Sequence, residues 1–383
     1  MRPAASTATR LATIMWLSVG SATGAQAQRR LPYGLDAWTA MGAPAIRGVT
    51  LGPIESSQQP DRGYGTEQSA RTLDHLVALG ANWVSITPFG RIASLSDTHV
   101  AMDFEAPYER NRLAVRRVVE QARARGLRVL VVPHLWVEQG GWRGHIDPGS
   151  PERWARFHES YRRFVLAWAS DAAAAGADAF SIGVECASWS GRFGGVWRTL
   201  IEQVRARFAG LLTYSANWDE AEHVLFWDLL DVVGINAFHP LADRSGASDA
   251  DYFAGAERNA RAVGDLARTL QMPVLFVEVG YTSRPDAAVE PWLWPDDIVG
   301  VPVDEIEQSR ALEATFAAFV PQPWFVGFFV WRYYATLHDV SQEAPWGFSP
   351  HGKLAERALR VAFDGRFGVE PEPWPWIVTA HAP

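Results

Sequence analysis

Two patterns of hydrophobic and polar positions alternate along the chain. Short runs rich in β-branched and aromatic residues, ending in polar, Pro or Gly positions, cover 45–53, 82–90, 128–136, 179–188, 212–219, 229–240, 273–283 and 324–335. These predict strands. Longer amphipathic stretches at 66–79, 108–125, 151–175, 193–209, 251–270 and 305–320, with a last one at 353–363, predict helices. The connection after the fifth run, at 219–227, is short and its helical pattern weak. Gly80, Gly126, Gly176 and Gly210 each follow an amphipathic stretch, where a left-handed C-cap would turn the chain into the next strand. Eight strand–helix units joined by right-handed crossovers close into a single-domain (β/α)8 TIM barrel. A doubly wound open sheet is the competing architecture. It calls for a Gly-rich phosphate loop after the first strand, and Val49-Thr-Leu-Gly-Pro-Ile-Glu55 is not one.

The length of 383 residues suits such a barrel with insertions. Longer connections at 91–107, 137–149, 241–250, 284–304 and 336–349 all follow strands, which puts them on the functional face. The N-terminus reads as an export signal over 1–27: Arg2 and Arg10, a short apolar stretch from Leu11, then Ala25-Gln26-Ala27 as a small-x-small cleavage site. That apolar stretch is too short to span a bilayer, so the mature protein is expected to be periplasmic or secreted. The catalytic domain then runs over 28–365, and a Pro- and Trp-rich tail over 366–383.

Glu185 and Glu278 carry the chemistry. Each ends an apolar run, Ala179-Phe-Ser-Ile-Gly-Val-Glu185 and Pro273-Val-Leu-Phe-Val-Glu278. A carboxylate there is costly unless the strand ends in a wet mouth, and two such strands in one barrel suggest a pair of carboxylates converging on one cleft. Paired carboxylates are the working parts of a glycosidase. Eighteen tryptophans exceed what a core of this size calls for, and flat aromatic faces suit the apolar faces of sugar rings. About half are expected in the core; in the loops Trp142, Trp292, Trp294 and Trp346 are candidate cleft walls. A net charge of −8 argues against nucleic acid. No metal-ligand spacing such as His-Glu-x-x-His occurs, so no metal or other cofactor is expected. Gly-x-Ser-x-Gly is absent too. Cys186, the single cysteine, excludes an intrachain disulfide and reads as a small buried hydrophobe.

Beyond the glutamates, the strand-end polar and aromatic residues His134, Trp136, Asn217, Trp218 and His239 are candidates for bonding sugar hydroxyls or stacking on rings. The set Ile182-Gly-Val-Glu185, Tyr214-Ser-Ala-Asn-Trp218, Val233-Gly-Ile-Asn-Ala-Phe-His-Pro-Leu241, Val277-Glu-Val-Gly280 and Gly327-Phe-Phe-Val-Trp331 falls in order on successive strands. In this the chain resembles the clan of retaining (β/α)8 glycoside hydrolases, and within it glycoside hydrolase family 113, whose activity is endo-β-1,4-mannanase. The resemblance covers nearly the whole mature chain. It implies a carbohydrate substrate, most plausibly β-1,4-mannan, with Glu185 as acid/base, Glu278 as nucleophile and Trp331 as the floor under the sugar being cleaved. Two positions depart from the clan. Val184 stands where an Asn commonly bonds the sugar 2-hydroxyl, and Phe238 where a Tyr commonly bonds the nucleophile. Asn217, Asn236 or Tyr281 could supply the missing hydrogen bonds. The alternatives are a hydrolase of the same clan with another sugar specificity, and a carbohydrate-binding barrel without catalysis.

Overall fold

A computed structural model describes residues 46–52, 62–103, 106–293, 300–338 and 343–364. The segments 1–27 and 366–383 and Trp294 lie outside these. Eight parallel strands form a closed barrel: β1 (Ile46–Gly52), β2 (Trp83–Ile86), β3 (Arg128–Val131), β4 (Ala179–Val184), β5 (Leu211–Asn217), β6 (Val233–Asn236), β7 (Val274–Val279) and β8 (Phe325–Tyr334). Each pairs with its sequence neighbours, and β8 closes on β1 with Ile46 opposite Gly327. Ile46, Trp83, Leu130, Val132, Val184, Leu275, Val277, Val326 and Phe329 fill the interior. Around the barrel lie α1 (Glu67–Leu79), α2 (Tyr108–Arg123), α3 (Pro151–Ala175), α4 (Gly194–Arg205), α5 (Asp249–Leu270), α6 (Glu305–Phe319) and α7 (Leu354–Phe363).

Local chemistry sets these bounds. The Thr66 hydroxyl accepts from the Ser69 amide to open α1, and Ser150 does the same for Arg153 in α3, where Pro151 takes the first turn. Gly80 and Gly176, with φ of 105° and 79°, close those two helices as expected. Gly210 does not cap. α4 ends at Arg205, and Gly210 is small because a Cβ there would sit 2.5 Å from the Asp178 carbonyl oxygen. The weak fifth connection contains two 3-10 turns, Ala221–His223 and Trp227–Leu229. Among the described residues, no helix is long and apolar enough to cross a membrane.

The second and third strands are shorter than their hydrophobic runs. Pro88 and Pro133, which lack the N–H a ladder needs, break both at matching positions. Pairing resumes beyond them in a separate two-stranded piece, Phe89–Ile92 with His134–Val137, where Phe89 faces His134. This displaced piece carries His134 to the barrel mouth.

Gly255 in α5 offers a test of close packing. A Cβ there would lie 1.9 Å from the backbone oxygen of Leu241. Alanine favours a helix over glycine by about 1 kcal/mol, yet a clash with immovable backbone costs about 1–3 kcal/mol or more. Gly255→Ala is therefore expected to lose about 1–2 kcal/mol of stability, read from the urea midpoint. A neutral or stabilised variant would show that the helix shifts freely.

Candidate active site

Both glutamates reach the mouth through irregular backbone. In β7, Phe276 and Glu278 face the consecutive residues Ile235 and Asn236 of β6, and Phe276 and Val279 face Phe328 and Val330 of β8. Each neighbour thus sees one extra residue in β7. Such a bulge re-aims a side chain, and here it turns Glu278 into the cavity directly after the interior-facing Val277. β4 carries a matching irregularity between Ser181 and Val184. Glu185 follows with φ of 49°, a left-handed conformation rare outside glycine and strained by about 1–2 kcal/mol. Strain of this kind persists where surrounding structure holds it.

The cavity has a volume of about 820 Å³, within the range of small-molecule sites. Glu185 and Glu278 line it with Trp331, and both carboxylates are buried. Glu185 Oε1 accepts from Asn236 Nδ2 at 3.0 Å. Its Oε2 accepts from Trp142 Nε1 at 2.8 Å and from the Arg143 guanidinium at 3.1 Å. All three partners are N–H donors, so they complement a carboxylate. For Glu185 to carry a proton at Oε2, Trp142 or Arg143 must move aside. Glu278 is held differently. Its Oε1 meets His134 Nε2 at 2.9 Å, and among the described residues no partner takes Oε2. His134 Nδ1 faces the Val132 carbonyl at 2.8 Å. Since both imidazole nitrogens face acceptors, either the ring carries two protons or the carboxyl supplies the second one.

The sequence candidates divide clearly. His134, Trp136, Asn217, Trp218 and Trp331 line the cavity with both glutamates. Trp331 lies within β8 rather than at its end, and is joined to Arg332 by a cis peptide bond. Asn236 sits behind the lining, with its amide on Glu185. Tyr281 and His239 are corrections, since neither lines the cavity. The Tyr281 hydroxyl is buried against Thr315 Oγ1 at 3.0 Å and the His239 carbonyl at 3.3 Å. The His239 ring packs against Trp218, Phe276 and Phe319, and burial lowers its pKa to about 4. Val184 points into the barrel interior, and Phe238 lines the cavity against Phe348. His134 thus takes the contact to Glu278 that Phe238 cannot make.

Of the loop tryptophans, Trp142 and Trp292 line the cavity, and Trp292 stacks on Trp218 at 5.8 Å. Trp346 is buried and does not line it. Trp83, Trp154, Trp168, Trp189, Trp197 and Trp227 are core residues. Cys186 is buried as expected, and burial with the nearby Glu220 pushes its thiol up to about 12. Arg143 and Arg332 also line the cavity and were not singled out by the sequence. A Trp-Arg pair in a long loop carries no local signal that it will fold back onto Glu185.

Glu220 was missed as well. It is buried beneath the site, where it accepts from Ser190 Oγ at 2.6 Å, the Tyr214 hydroxyl and the Asn217 amide at 2.9 Å. Burial outweighs these bonds and, with the Glu185 charge, raises its pKa to about 7. The unfolded side chain titrates near the ordinary carboxyl value, so between that value and 7 the folded chain holds an extra proton. Stability therefore falls as pH rises through this window. Glu313, raised to about 7 by burial, contributes in the same sense. Glu220→Gln is expected to remove on the order of 3 kcal/mol of that fall, measured as unfolding free energy at intervals from about pH 4.5 to 8. An unchanged slope would mean that Glu220 is ionised throughout.

The sequence profile of Glycoside Hydrolase Family 113 matches residues 56–353. No curated protein matches the chain. Among solved structures it is similar to a family 113 β-mannanase from Alicyclobacillus acidocaldarius in complex with ManMIm, with 26% identity, TM-score 0.72, and 85% of this chain and 99% of that one covered. It is also similar to a family 113 β-1,4-mannanase in complex, with 24% identity, TM-score 0.71, and coverage of 83% and 98%. A family 5 mannosidase from Rhizomucor miehei shares the fold at 10% identity and TM-score 0.60, with coverage of 84% and 92%. With two buried carboxylates at the mouth of an eight-stranded parallel barrel and a profile match over most of its length, the chain belongs to glycoside hydrolase family 113.

Proposed function

We propose that the protein is an exported retaining β-mannanase working by double displacement, with Glu278 as nucleophile and Glu185 as acid/base. The observation that carries this reading is the unequal hold on the two carboxylates. Glu278 is anchored at Oε1 alone, which leaves Oε2 for attack on an anomeric carbon, whereas Glu185 is gripped at both oxygens. Attack by Glu278 breaks the glycosidic bond as Glu185 protonates the departing oxygen, and a covalent glycosyl-enzyme results. Glu185, now a carboxylate, takes a proton from water, which displaces Glu278. Its three N–H partners suit this second role. Trp331 provides an apolar floor, and Trp218 with Trp292 extends the wall for further sugars. The mannan preference rests on likeness to the Alicyclobacillus enzyme, and export on residues 1–27.

The test is hydrolysis of β-1,4-mannan, β-glucan, xylan and galactan, with the anomer of the first product followed by NMR. Mannan is expected to be cleaved fastest and to release the β anomer before mutarotation. Initial α product would replace the mechanism with inversion. Binding of mannan without turnover would make the protein a non-catalytic binding barrel.

A further inference from the structure

Outside the cavity, on the outer side of β8, three side chains from sequence-distant positions converge. Glu356 lies in the first turn of α7, His75 in α1, and His351 in the connection between β8 and α7. None lines the cavity. His75 Nε2 lies 2.6 Å and His351 Nδ1 3.3 Å from the same carboxylate oxygen, Glu356 Oε1. The Tyr333 hydroxyl donates to that oxygen at 3.0 Å, and the Gly352 amide to Oε2 at 3.2 Å. Three groups thus crowd an oxygen with two lone pairs.

We propose that His75, His351 and Glu356 form a binding site for a zinc-class divalent ion, with a fourth position left for water. Two imidazoles and one carboxylate are a donor set that selects zinc and its neighbours over calcium or magnesium. The three donor atoms lie within 4.8 Å of one another. Bonds of about 2.0–2.2 Å in a tetrahedron set donors roughly 3.4 Å apart. The 3.3 Å pair already fits, and the 2.6 Å pair needs to open by under about 1 Å, within the reach of small side-chain rotations. The side chains of His75, Glu356 and His351 are 26%, 18% and 16% exposed, so an ion can enter from solvent while the donors stay held. His351 has an outer partner as well, with Nε2 3.2 Å from His338 Nδ1. When Nε2–H donates there, the Nδ1 lone pair faces Glu356, the tautomer a metal ligand requires. The ion would fasten α1 and α7 to the loop that carries Phe348 into the cavity wall. The spacing of His75 from the other two hides the set from any sequence motif.

The experiment uses the full chain without a polyhistidine tag, stripped with chelator and titrated with Zn²⁺ by calorimetry, with Ca²⁺ and Mg²⁺ in parallel. One equivalent of Zn²⁺ per chain is expected, with a rise in Tm and no response to Ca²⁺ or Mg²⁺. His75→Ala and His351→Ala should each weaken binding at least about 100-fold, while His99→Ala, at an exposed histidine elsewhere, should leave it intact. The melting temperature of each stripped variant is compared with stripped wild type, so that misfolding is separated from ligand loss. Wild-type binding no tighter than in His75→Ala, or an equal loss in His99→Ala, would overturn the proposal.

Discussion

Glu278→Gln is expected to lower kcat/KM on mannan by about 10⁵-fold, or ~7 kcal/mol of transition-state stabilisation. The amide keeps the size of the carboxyl and can turn its N–H to donate to His134 Nε2, so the barrel mouth loses a nucleophile and little else. A melting temperature close to wild type would accompany the loss, because a His134 ring that sheds one proton still donates from Nδ1 to Val132 and accepts at Nε2, which strands no buried charge. The magnitude follows from the proposed role. A residue that only bonded sugar hydroxyls would cost about 1–3 kcal/mol on removal, which is two orders of magnitude or less. Residual activity within a hundredfold of wild type would therefore remove Glu278 from the nucleophile position. Trapping by an activated 2-deoxy-2-fluoro mannoside gives an independent reading, since the label should sit on Glu278 in the wild type and be absent from the variant.

The barrel was legible because its signals are local and repeated: apolar strand runs, amphipathic helices, and glycines such as Gly80 and Gly176 where left-handed caps were needed. The two glutamates were legible because a carboxylate at the end of a buried strand is expensive. What stayed hidden depends on backbone irregularity or on loops. Strict alternation after the inward-facing Val277 would send Glu278 toward the helices; only the extra residue in β7, visible in the pairing of Asn236 with Glu278, returns it to the mouth. His239 was a cleft candidate as a strand-end polar residue and Tyr281 as a source of hydrogen bonds, whereas the chain beyond β6 and β7 turns them into the layer against α6. Pro88 and Pro133 lie inside the runs 82–90 and 128–136 that were each read as one strand, and their alignment across two strands, which carries His134 to Glu278, exists only in the folded register. Arg143 reaches Glu185 through a loop whose path no periodicity encodes.

Glu185→Ala is expected to slow mannan hydrolysis by about 10²–10⁴-fold, the usual contribution of a general acid/base. A mannoside with a good leaving group should escape the first half of that penalty, because its departure needs no proton. Glycosyl-enzyme then accumulates, since nothing activates water. Azide should relieve the block, and the site suggests why it would bind. Removal of the carboxylate leaves Arg143, the Trp142 indole N–H and the Asn236 amide N–H facing an empty volume, three donors that had been satisfied by an anion. A small anion placed there lies on the face opposite Glu278 and attacks to give a β-mannosyl azide. Rescue should accordingly weaken when Arg143→Ala is added to Glu185→Ala, through a higher azide concentration for half-maximal rate. Formation of an α-azide by a Glu278→Ala variant is the complementary outcome, as azide would then occupy the nucleophile's own face. If instead Glu185→Ala yielded the α-azide and Glu278→Ala the β-azide, the two glutamates would exchange roles, and the open oxygen of Glu278 would have to be read as the proton-bearing one.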